Sequence, residues 1–328
     1  MPPAGRLSPC SRRIQIVNPM QLQTVIFPAL LFGLILIVWL VRYYQQSYQE
    51  KISSLLAGSR VYETKLGPVE AAILGEGPPI IVLHGAGGGY DRGQVYAHPD
   101  LGYQYIVLSR PGYLRTPLTS GKTPCQQADL VAALMDALKI KKAFIMGVSA
   151  GGPTAIEFSL KFPERCMGLI LSSAVNQPIP AYKFFAYAIG KYIIPSTFIT
   201  WLFLNRGGLF AIRPNLAFQL FGKPEKQKQI KNLVASLWPP RPRFAGLEND
   251  MENIKDQLNY SLAEIDRPTL VIHGTSDAVI SHRQGVRAAD QIPGAEFISV
   301  KGGTHFCLIS HSEIIQPVLL DFLDRHTS

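Results

Sequence analysis

The chain has 328 residues, of which 47% are apolar and 17% are charged, a composition that suits a globular core and excludes an intrinsically disordered protein. Its formal net charge is +9, but the basic residues are scattered, so no basic patch indicates a nucleic-acid-binding protein. The excess positive charge is either spread over solvated faces or attracts anionic lipid headgroups. The four cysteines form no CxxC pair and predict neither a disulfide framework nor a metal site.

An apolar segment at 24–41 (TVIFPALLFGLILIVWLV) follows a basic amino-terminal segment at 1–23 and carries no charge. As a helix it covers about 27 Å, close to the hydrocarbon thickness of a bilayer. Pro28 falls in its first turns. An aromatic and basic collar stands at its far end, formed by Trp39, Arg42, Tyr43 and Tyr44. These flanking residues are less typical of a buried helix or of a cleaved signal peptide. We therefore expect a single-pass membrane anchor, followed by a polar stalk at 42–60. Basic residues on the two sides balance, which leaves the side of the membrane open.

From residue 61 to 328 short apolar runs bounded by Gly and Pro alternate with helical patterns. The predicted strands are 69–74, 80–84, 105–109, 143–147, 168–171, 269–273 and 296–300. The predicted helices are 126–138, 153–162, 282–292 and 312–325. Alternation of apolar strands with helices predicts an α/β fold, in which helices cover both faces of a mostly parallel sheet.

The alternation stops between about 176 and 264, a stretch without a convincing strand pattern. We interpret it as a helical cap, or lid, inserted between two strands of one sheet. Its first half is densely aromatic, with Tyr182, Phe184, Phe185, Tyr187, Tyr192, Phe198, Trp201, Phe203, Phe210, Phe218 and Phe221. These side chains either build the core of the lid itself, line an apolar pocket, or dip into lipid.

A candidate nucleophile is Ser149, in the run Gly147-Val148-Ser149-Ala150-Gly151. This is the G-x-S-x-G pattern, and here it follows a predicted strand and opens a predicted helix, which is the context that gives it meaning. The serine of such a turn adopts a strained conformation that exposes its hydroxyl, so the residues two before and two after it must be small.

A serine hydroxyl needs a base, and one of the seven histidines, His305, lies in a flexible loop between the last predicted strand and the last predicted helix. Asp277 follows the strand that ends at His273. Both positions are at carboxyl ends of strands, where open α/β sheets keep their ligands. We expect His305 to act as the base and Asp277 to orient it. An aspartate at such a position is otherwise a helix N-cap.

A glycine-rich run, His84-Gly85-Ala86-Gly87-Gly88-Gly89, begins at the last residue of the predicted strand 80–84. Glycines let backbone N–H groups approach an oxyanion closely. We assign the oxyanion hole to the N–H of Ala86 or of Gly87, together with the N–H of Ala150, and expect His84 to orient the loop. The run does not match the G-x-G-x-x-G pattern of dinucleotide-binding loops, and no cofactor is indicated.

These motifs together make the chain resemble the serine hydrolases of the α/β-hydrolase fold, from about residue 61 to 325. The chain order Ser, Asp, His is that of this family. The run 109–117 (SRPGYLRTP) is similar to the family's loop D-x-x-G-x-G-x-S, but Ser109 replaces its Asp and Leu114 its second Gly. The resemblance implies an eight-stranded sheet with a cap between strands six and seven. A serine nucleophile argues against the dehalogenase and epoxide hydrolase branches, which use Asp.

The expected activity is hydrolysis of carboxylic esters, and the anchor and the aromatic lid favour lipophilic esters. A carbon–carbon bond hydrolase, amidase, acyltransferase or haloperoxidase would use the same triad, and the fold does not decide among them. A non-catalytic binding scaffold is the remaining alternative, although all three triad residues are present. The expected partners are a small-molecule substrate and membrane lipid. The oligomeric state stays open.

Overall fold

The computed structural model describes residues 19–179, 197–205, 229, 232–233, 235–256, 258 and 260–327, with side chains described from residue 26 and not at 203–205 or 256. The chain divides into two compact units, one that extends to Glu50 and one that begins at Lys51. The glycine-rich run, the serine motif and the predicted strands all lie in the second unit.

Helix α1 (Pro19–Ala57) is continuous through the apolar segment and through most of the stretch expected to be a stalk. Pro28 therefore lies inside the helix and not in its first turns. Within the described part of the chain, α1 is the one helix long and apolar enough to cross a membrane, and an 18-residue stretch of it has a mean hydropathy of 2.2. Large apolar side chains on it are exposed, for example Phe27 at 71% and Leu30 at 68%. A signal sequence would share this length and composition.

The last turns of α1 are part of the second compact unit. Leu55 is only 6% exposed and packs in the hydrophobic core. Its carbonyl oxygen accepts a hydrogen bond from the hydroxyl of Tyr90 at 2.7 Å. This unit therefore begins at Lys51, earlier than residue 61, where the sequence pattern changes.

Eight strands form one sheet in the order β1-β2-β4-β3-β5-β6-β7-β8. The strands are β1 (Arg60–Thr64), β2 (Gly67–Leu74), β3 (Pro79–Leu83), β4 (Gln104–Leu108), β5 (Ala143–Val148), β6 (Cys166–Ser172), β7 (Thr269–Gly274) and β8 (Glu296–Val300). The pairs β1–β2 and β2–β4 are antiparallel, and all the others are parallel. The mostly parallel sheet that the sequence predicts is confirmed.

The described helices after α1 are α2 (Tyr90–Gly93), α3 (Pro124–Ala137), α4 (Gly152–Lys161), α5 (Thr197–Asn205), α6 (Phe244–Asp256), α7 (His282–Gln291), α8 (Cys307–Ser310) and α9 (Ser312–Arg325). They pack on both faces of the sheet because successive strand side chains point to opposite sides. On β3, Ile81 and Leu83 join the core that includes Leu130 of α3. Ile80 and Val82 join the core that includes Phe322 of α9.

The predicted insertion lies between β6 and β7, which are adjacent and parallel. In its described residues it contains helices α5 and α6 and no strand. On α5 the rings of Phe198 and Trp201 stack with centroids 5.9 Å apart, and Trp201 is buried. The other aromatic side chains of the first half of the predicted lid lie outside the described residues.

The edge strand β1 is the one strand that the sequence pattern did not predict. Its residues (RVYET) are mostly polar and their side chains are largely exposed, so they lack the apolar run that identifies the buried strands. β8 has the predicted bounds, the other strands differ from the predictions by one or two residues at an end, and His84 lies just beyond β3.

Candidate active site

The candidate nucleophile Ser149 stands at a sharp turn between β5 and α4. Its φ is +53°, a left-handed conformation that costs about 1–3 kcal/mol for a residue other than glycine. The turn is tight on both sides. A Cβ atom at Gly147 would lie 2.7 Å from the Cβ of Ala155, and one at Gly151 would collide with the carbonyl oxygen of Leu83. Small residues at these two positions are therefore a packing requirement of the turn.

The structure brings the three predicted side chains together. The Nε2 of His305 lies 3.0 Å from the Oγ of Ser149, and its Nδ1 lies 2.8 Å from an Oδ of Asp277. His305 sits between β8 and α8, and Asp277 follows β7, so both stand at the carboxyl edge of the sheet. Because a carboxylate only accepts hydrogen bonds, Nδ1 donates to Asp277, which leaves Nε2 to accept the proton of the serine.

Asp277 is held as a buried anion. Its side chain is fully buried, and its Oδ1 accepts the N–H groups of Val279 and Ile280 at 2.8 and 2.9 Å. Burial works against ionisation, but hydrogen bonds from His273 and His305 outweigh it and hold the pKa of Asp277 well below its usual range. The carboxylate is therefore ionised at neutral pH and suited to stabilise a protonated His305.

His273 is a neighbour of the site that sequence reasoning did not single out. It is 1% exposed, and its Nε2 lies 3.3 Å from Asp277 and 3.1 Å from the carbonyl oxygen of Ile280. Its ring therefore donates toward the carboxylate that orients His305. Its position as the second-to-last residue of β7 was visible in the sequence, but its contact with Asp277 depends on how the following loop folds back.

The glycine-rich loop lies directly against the serine. A Cβ atom at Gly85 would be 3.0 Å from the Cβ of Ser149. The N–H of Gly87 donates to the hydroxyl of Tyr113 at 3.1 Å, so this N–H is already engaged. Within the described part of the chain, no hydrogen bond occupies the N–H of Ala86 or of Ala150. Of the two alternatives that the sequence left open, the geometry favours Ala86 over Gly87.

His84 is buried beneath this loop and acts on its shape. Its Nε2 accepts the backbone N–H of Arg110 at 3.0 Å, which makes Nδ1 the donor to the carbonyl oxygen of Gly85 at 2.8 Å. Desolvation, together with the nearby positive charge of Arg110, lowers the pKa of His84 well below its usual value. A neutral, doubly bonded imidazole fits the orienting role that the sequence suggested.

The departures from the family pattern in the loop after β4 are compensated by neighbouring residues. Ser109, which stands where the family has Asp, donates its hydroxyl to Glu70 at 2.8 Å. Glu70, on β2, is 1% exposed and supplies the buried carboxylate from the adjacent antiparallel strand. Leu114, in the place of the second Gly, adopts a φ of +50°, so the backbone shape is kept with a strained residue.

A model of the family described as "alpha/beta hydrolase fold" matches residues 78–312 of the chain. A solved α/β hydrolase fold protein from Nakamurella multipartita is 30% identical, with a TM-score of 0.66, over 81% of this chain and 98% of that one. A 2-hydroxy-6-oxononadienedioate/2-hydroxy-6-oxononatrienedioate hydrolase from Paraburkholderia phymatum is 26% identical over 75% of this chain and 87% of its own. A poly(3-hydroxyalkanoate) depolymerase from Ectopseudomonas oleovorans is 27% identical over 75% of this chain and 84% of its own.

The matched region contains the glycine-rich loop, the serine turn and the loops that carry Asp277 and His305. The eight-stranded, mostly parallel sheet and its flanking helices are the fold that the sequence motifs implied. The chain belongs to the α/β hydrolase fold family.

Proposed function

We propose that this protein is a serine hydrolase that cleaves carboxylic esters through an acyl-enzyme formed on Ser149. The observation that carries the proposal is the continuous chain of hydrogen bonds from Ser149 through His305 to Asp277, with distances of 3.0 and 2.8 Å. A nucleophile, a base and an orienting carboxylate within hydrogen-bond reach of one another are the signature of an activated serine.

In the proposed reaction the Oγ of Ser149 attacks the acyl carbon while its proton passes to the Nε2 of His305. The negative charge that develops on the carbonyl oxygen is stabilised by the N–H groups of Ala86 and Ala150. Collapse of the tetrahedral intermediate breaks the ester bond, and His305 returns the proton to the leaving alcohol. A water molecule, activated by His305, then releases the acid and regenerates the serine.

We further propose that the substrates are lipophilic and that α1 anchors the enzyme in a membrane by a single pass. Support for the anchor comes from the exposed apolar surface of α1, whose side chains include Phe27 and Leu30. An enzyme held at a bilayer meets substrates that partition into lipid, and the aromatic composition of the cap would suit them. A panel of esters that shows clear preference for short, polar acyl groups would contradict this part of the proposal.

A second candidate is hydrolysis of a carbon–carbon bond next to a ketone, with the same triad. It is favoured by the similarity to the 2-hydroxy-6-oxononadienedioate/2-hydroxy-6-oxononatrienedioate hydrolase. The similarity to a poly(3-hydroxyalkanoate) depolymerase favours the ester, because the units of such a polymer are joined by ester bonds. Parallel assays with p-nitrophenyl esters and with a 2-hydroxy-6-oxodienoate separate the two activities.

The first experiment is labelling of the detergent-solubilised, full-length protein with a fluorophosphonate probe, which reacts with activated serines. We expect the wild type to be labelled and Ser149→Ala not to be. Ser159→Ala is the control, since Ser159 is also buried but its hydroxyl donates to the carbonyl oxygen of Ile156, and it should label like the wild type. A folded wild-type protein that resists labelling would refute the proposal.

A further inference from the structure

One segment of the cap insertion, residues 241–256, makes direct contact with the glycine-rich loop. Arg243, which is 2% exposed, donates from its Nη1 to the carbonyl oxygen of Gly88 at 2.6 Å. Its guanidinium also forms two hydrogen bonds, both 2.9 Å long, with the carboxylate of Asp91, which follows the loop at the start of α2. Arg243 therefore fixes the second half of the loop.

Asp250, on α6 of the same segment, reaches the loop through two buried side chains. It receives two hydrogen bonds from the guanidinium of Arg110, at 2.7 and 2.5 Å, and one from the hydroxyl of Tyr113 at 2.6 Å. Tyr113 in turn accepts the N–H of Gly87. Arg110 donates its Nε to the carbonyl oxygen of His84 at 2.8 Å.

These contacts hold the loop at His84, Gly87 and Gly88, on both sides of Ala86, whose N–H is a proposed oxyanion donor. The loop has few side chains of its own with which to pack, and glycine is the most flexible residue in a chain. An oxyanion hole works only when its donors are held in place before the reaction, to within about 0.5 Å. The hydrogen bonds from the cap segment therefore supply the rigidity that the loop's own residues do not provide.

We propose that the cap segment 241–250 is a clamp that sets the geometry of the oxyanion loop, with Arg243 and Asp250 as positioning residues. The catalytic part of this inference rests on the proposed function. Its consequence is that the cap controls stabilisation of the transition state as well as access to the serine. A displacement of α6 would release the loop and lower the turnover number, while the binding of the ground-state substrate stays the same.

The test uses two variants that cut the clamp, Tyr113→Phe and Arg243→Gln. Tyr113→Phe removes the hydroxyl between Asp250 and Gly87 but keeps the buried ion pair. The matched control is Asn249→Ala. Asn249 lies next to Asp250 on α6, and its amide donates to the carbonyl oxygen of Lys122 at 2.8 Å, so the control loosens the same helix away from the loop.

The first readout is hydrogen–deuterium exchange of the full-length protein, followed on peptides that cover residues 84–91. We expect faster exchange in both clamp variants, and exchange like that of the wild type in Asn249→Ala. This readout does not require catalysis, so it tests the clamp even if the proposed function fails. Unchanged exchange in both clamp variants would overturn the inference.

The second readout is kinetic and separates positioning from simple loss of stability. With a p-nitrophenyl ester, we expect kcat to fall by about 10-fold or more in each clamp variant, as for a displaced oxyanion donor, and KM to stay within about threefold. A trifluoromethyl ketone, which mimics the tetrahedral intermediate, should lose affinity by a similar factor. Equal losses in Asn249→Ala, or a change confined to KM, would overturn the positioning role.

Discussion

Position 109 is Ser where the family has Asp, and Glu70 supplies the buried carboxylate instead. Moving the carboxylate back to position 109 tests whether the two side chains share one role. We expect Ser109→Asp alone to destabilise the protein, because it places a second carboxylate beside Glu70 in a site where Ser109 is fully buried and Glu70 is 1% exposed. Glu70→Gln alone should also destabilise it. The double variant, which moves the charge back to the position where the family has it, should recover most of the loss.

The magnitudes follow from the contacts of Glu70. It accepts hydrogen bonds from Ser109 at 2.8 Å, from Ser59 at 2.8 Å, and from the backbone N–H and the Nε of Arg115 at 3.1 and 2.7 Å. Glu70→Gln replaces one acceptor oxygen with an amide group that faces other donors. We expect this to lower the free energy of unfolding by about 2–4 kcal/mol, and the loss of the pair with partly exposed Arg115 accounts for the smaller share. Ser109→Asp places two carboxyl groups side by side and raises the pKa of one of them, which costs about 3–4 kcal/mol at neutral pH for a shift of two to three units.

Independent effects would add to about 5–8 kcal/mol, whereas we expect the double variant to lose no more than about 3 kcal/mol. The difference, a coupling of at least about 2 kcal/mol, is of the size found for residues in contact. The assay is chemical unfolding of the full-length protein in detergent, followed by fluorescence. Glu296→Gln is the control, because Glu296 pairs with Arg325 on the exposed surface and should leave the unfolding midpoint unchanged. Strict additivity would show that the two side chains do not share the role inferred here.

Three further results are expected. Deletion of residues 1–50 should leave a folded hydrolase domain, whereas deletion of 1–58 also removes buried Leu55 and should cost about 1.5–3 kcal/mol in unfolding free energy. The lowered pKa of Asp277 means that its ionised form stabilises the fold above about pH 4, and that this contribution is lost as the pH falls through the folded-state pKa. Unfolding of Asp277→Asn between pH 2 and 7 should therefore depend less on pH, and an unchanged profile would contradict the pairing. Gly151→Ala, which drives a methyl group into the carbonyl oxygen at the end of β3, should lower both the unfolding midpoint and fluorophosphonate labelling, and wild-type values would refute the packing argument.

Much of this site was predictable from local sequence because its chemistry uses chain positions that the fold determines. A serine with glycine two residues before it and two residues after it, behind a strand and ahead of a helix, is expected at a tight turn at the carboxyl edge of a parallel sheet. Loops that follow β7 and β8 reach the same edge, so Asp277 and His305 could be placed near Ser149 before any distance was known. The buried strands were visible for a similar reason, since a strand covered on both faces has few polar residues.

Contacts between residues far apart in the chain were decided only by the tertiary structure. Whether the N–H of Gly87 is free depends on Tyr113, and the position of Tyr113 depends on Asp250, 137 residues further along. The carboxylate that replaces the family's Asp comes from Glu70 because antiparallel pairing of β2 with β4 sets the two positions side by side. No local pattern encodes either relation.

The amino-terminal helix was likewise predictable in part from the sequence and in part only from the tertiary structure. Apolar composition predicted a helix of membrane length, but not that one helix would run unbroken through the polar stalk to Ala57. Its last turns are held by burial of Leu55 against the hydrolase domain. Sequence by itself therefore determined which residues could perform the chemistry and at which edge of the sheet they would meet. The packing of distant segments decided which backbone N–H stays free and which side chains hold the loop, because those outcomes depend on three-dimensional neighbours.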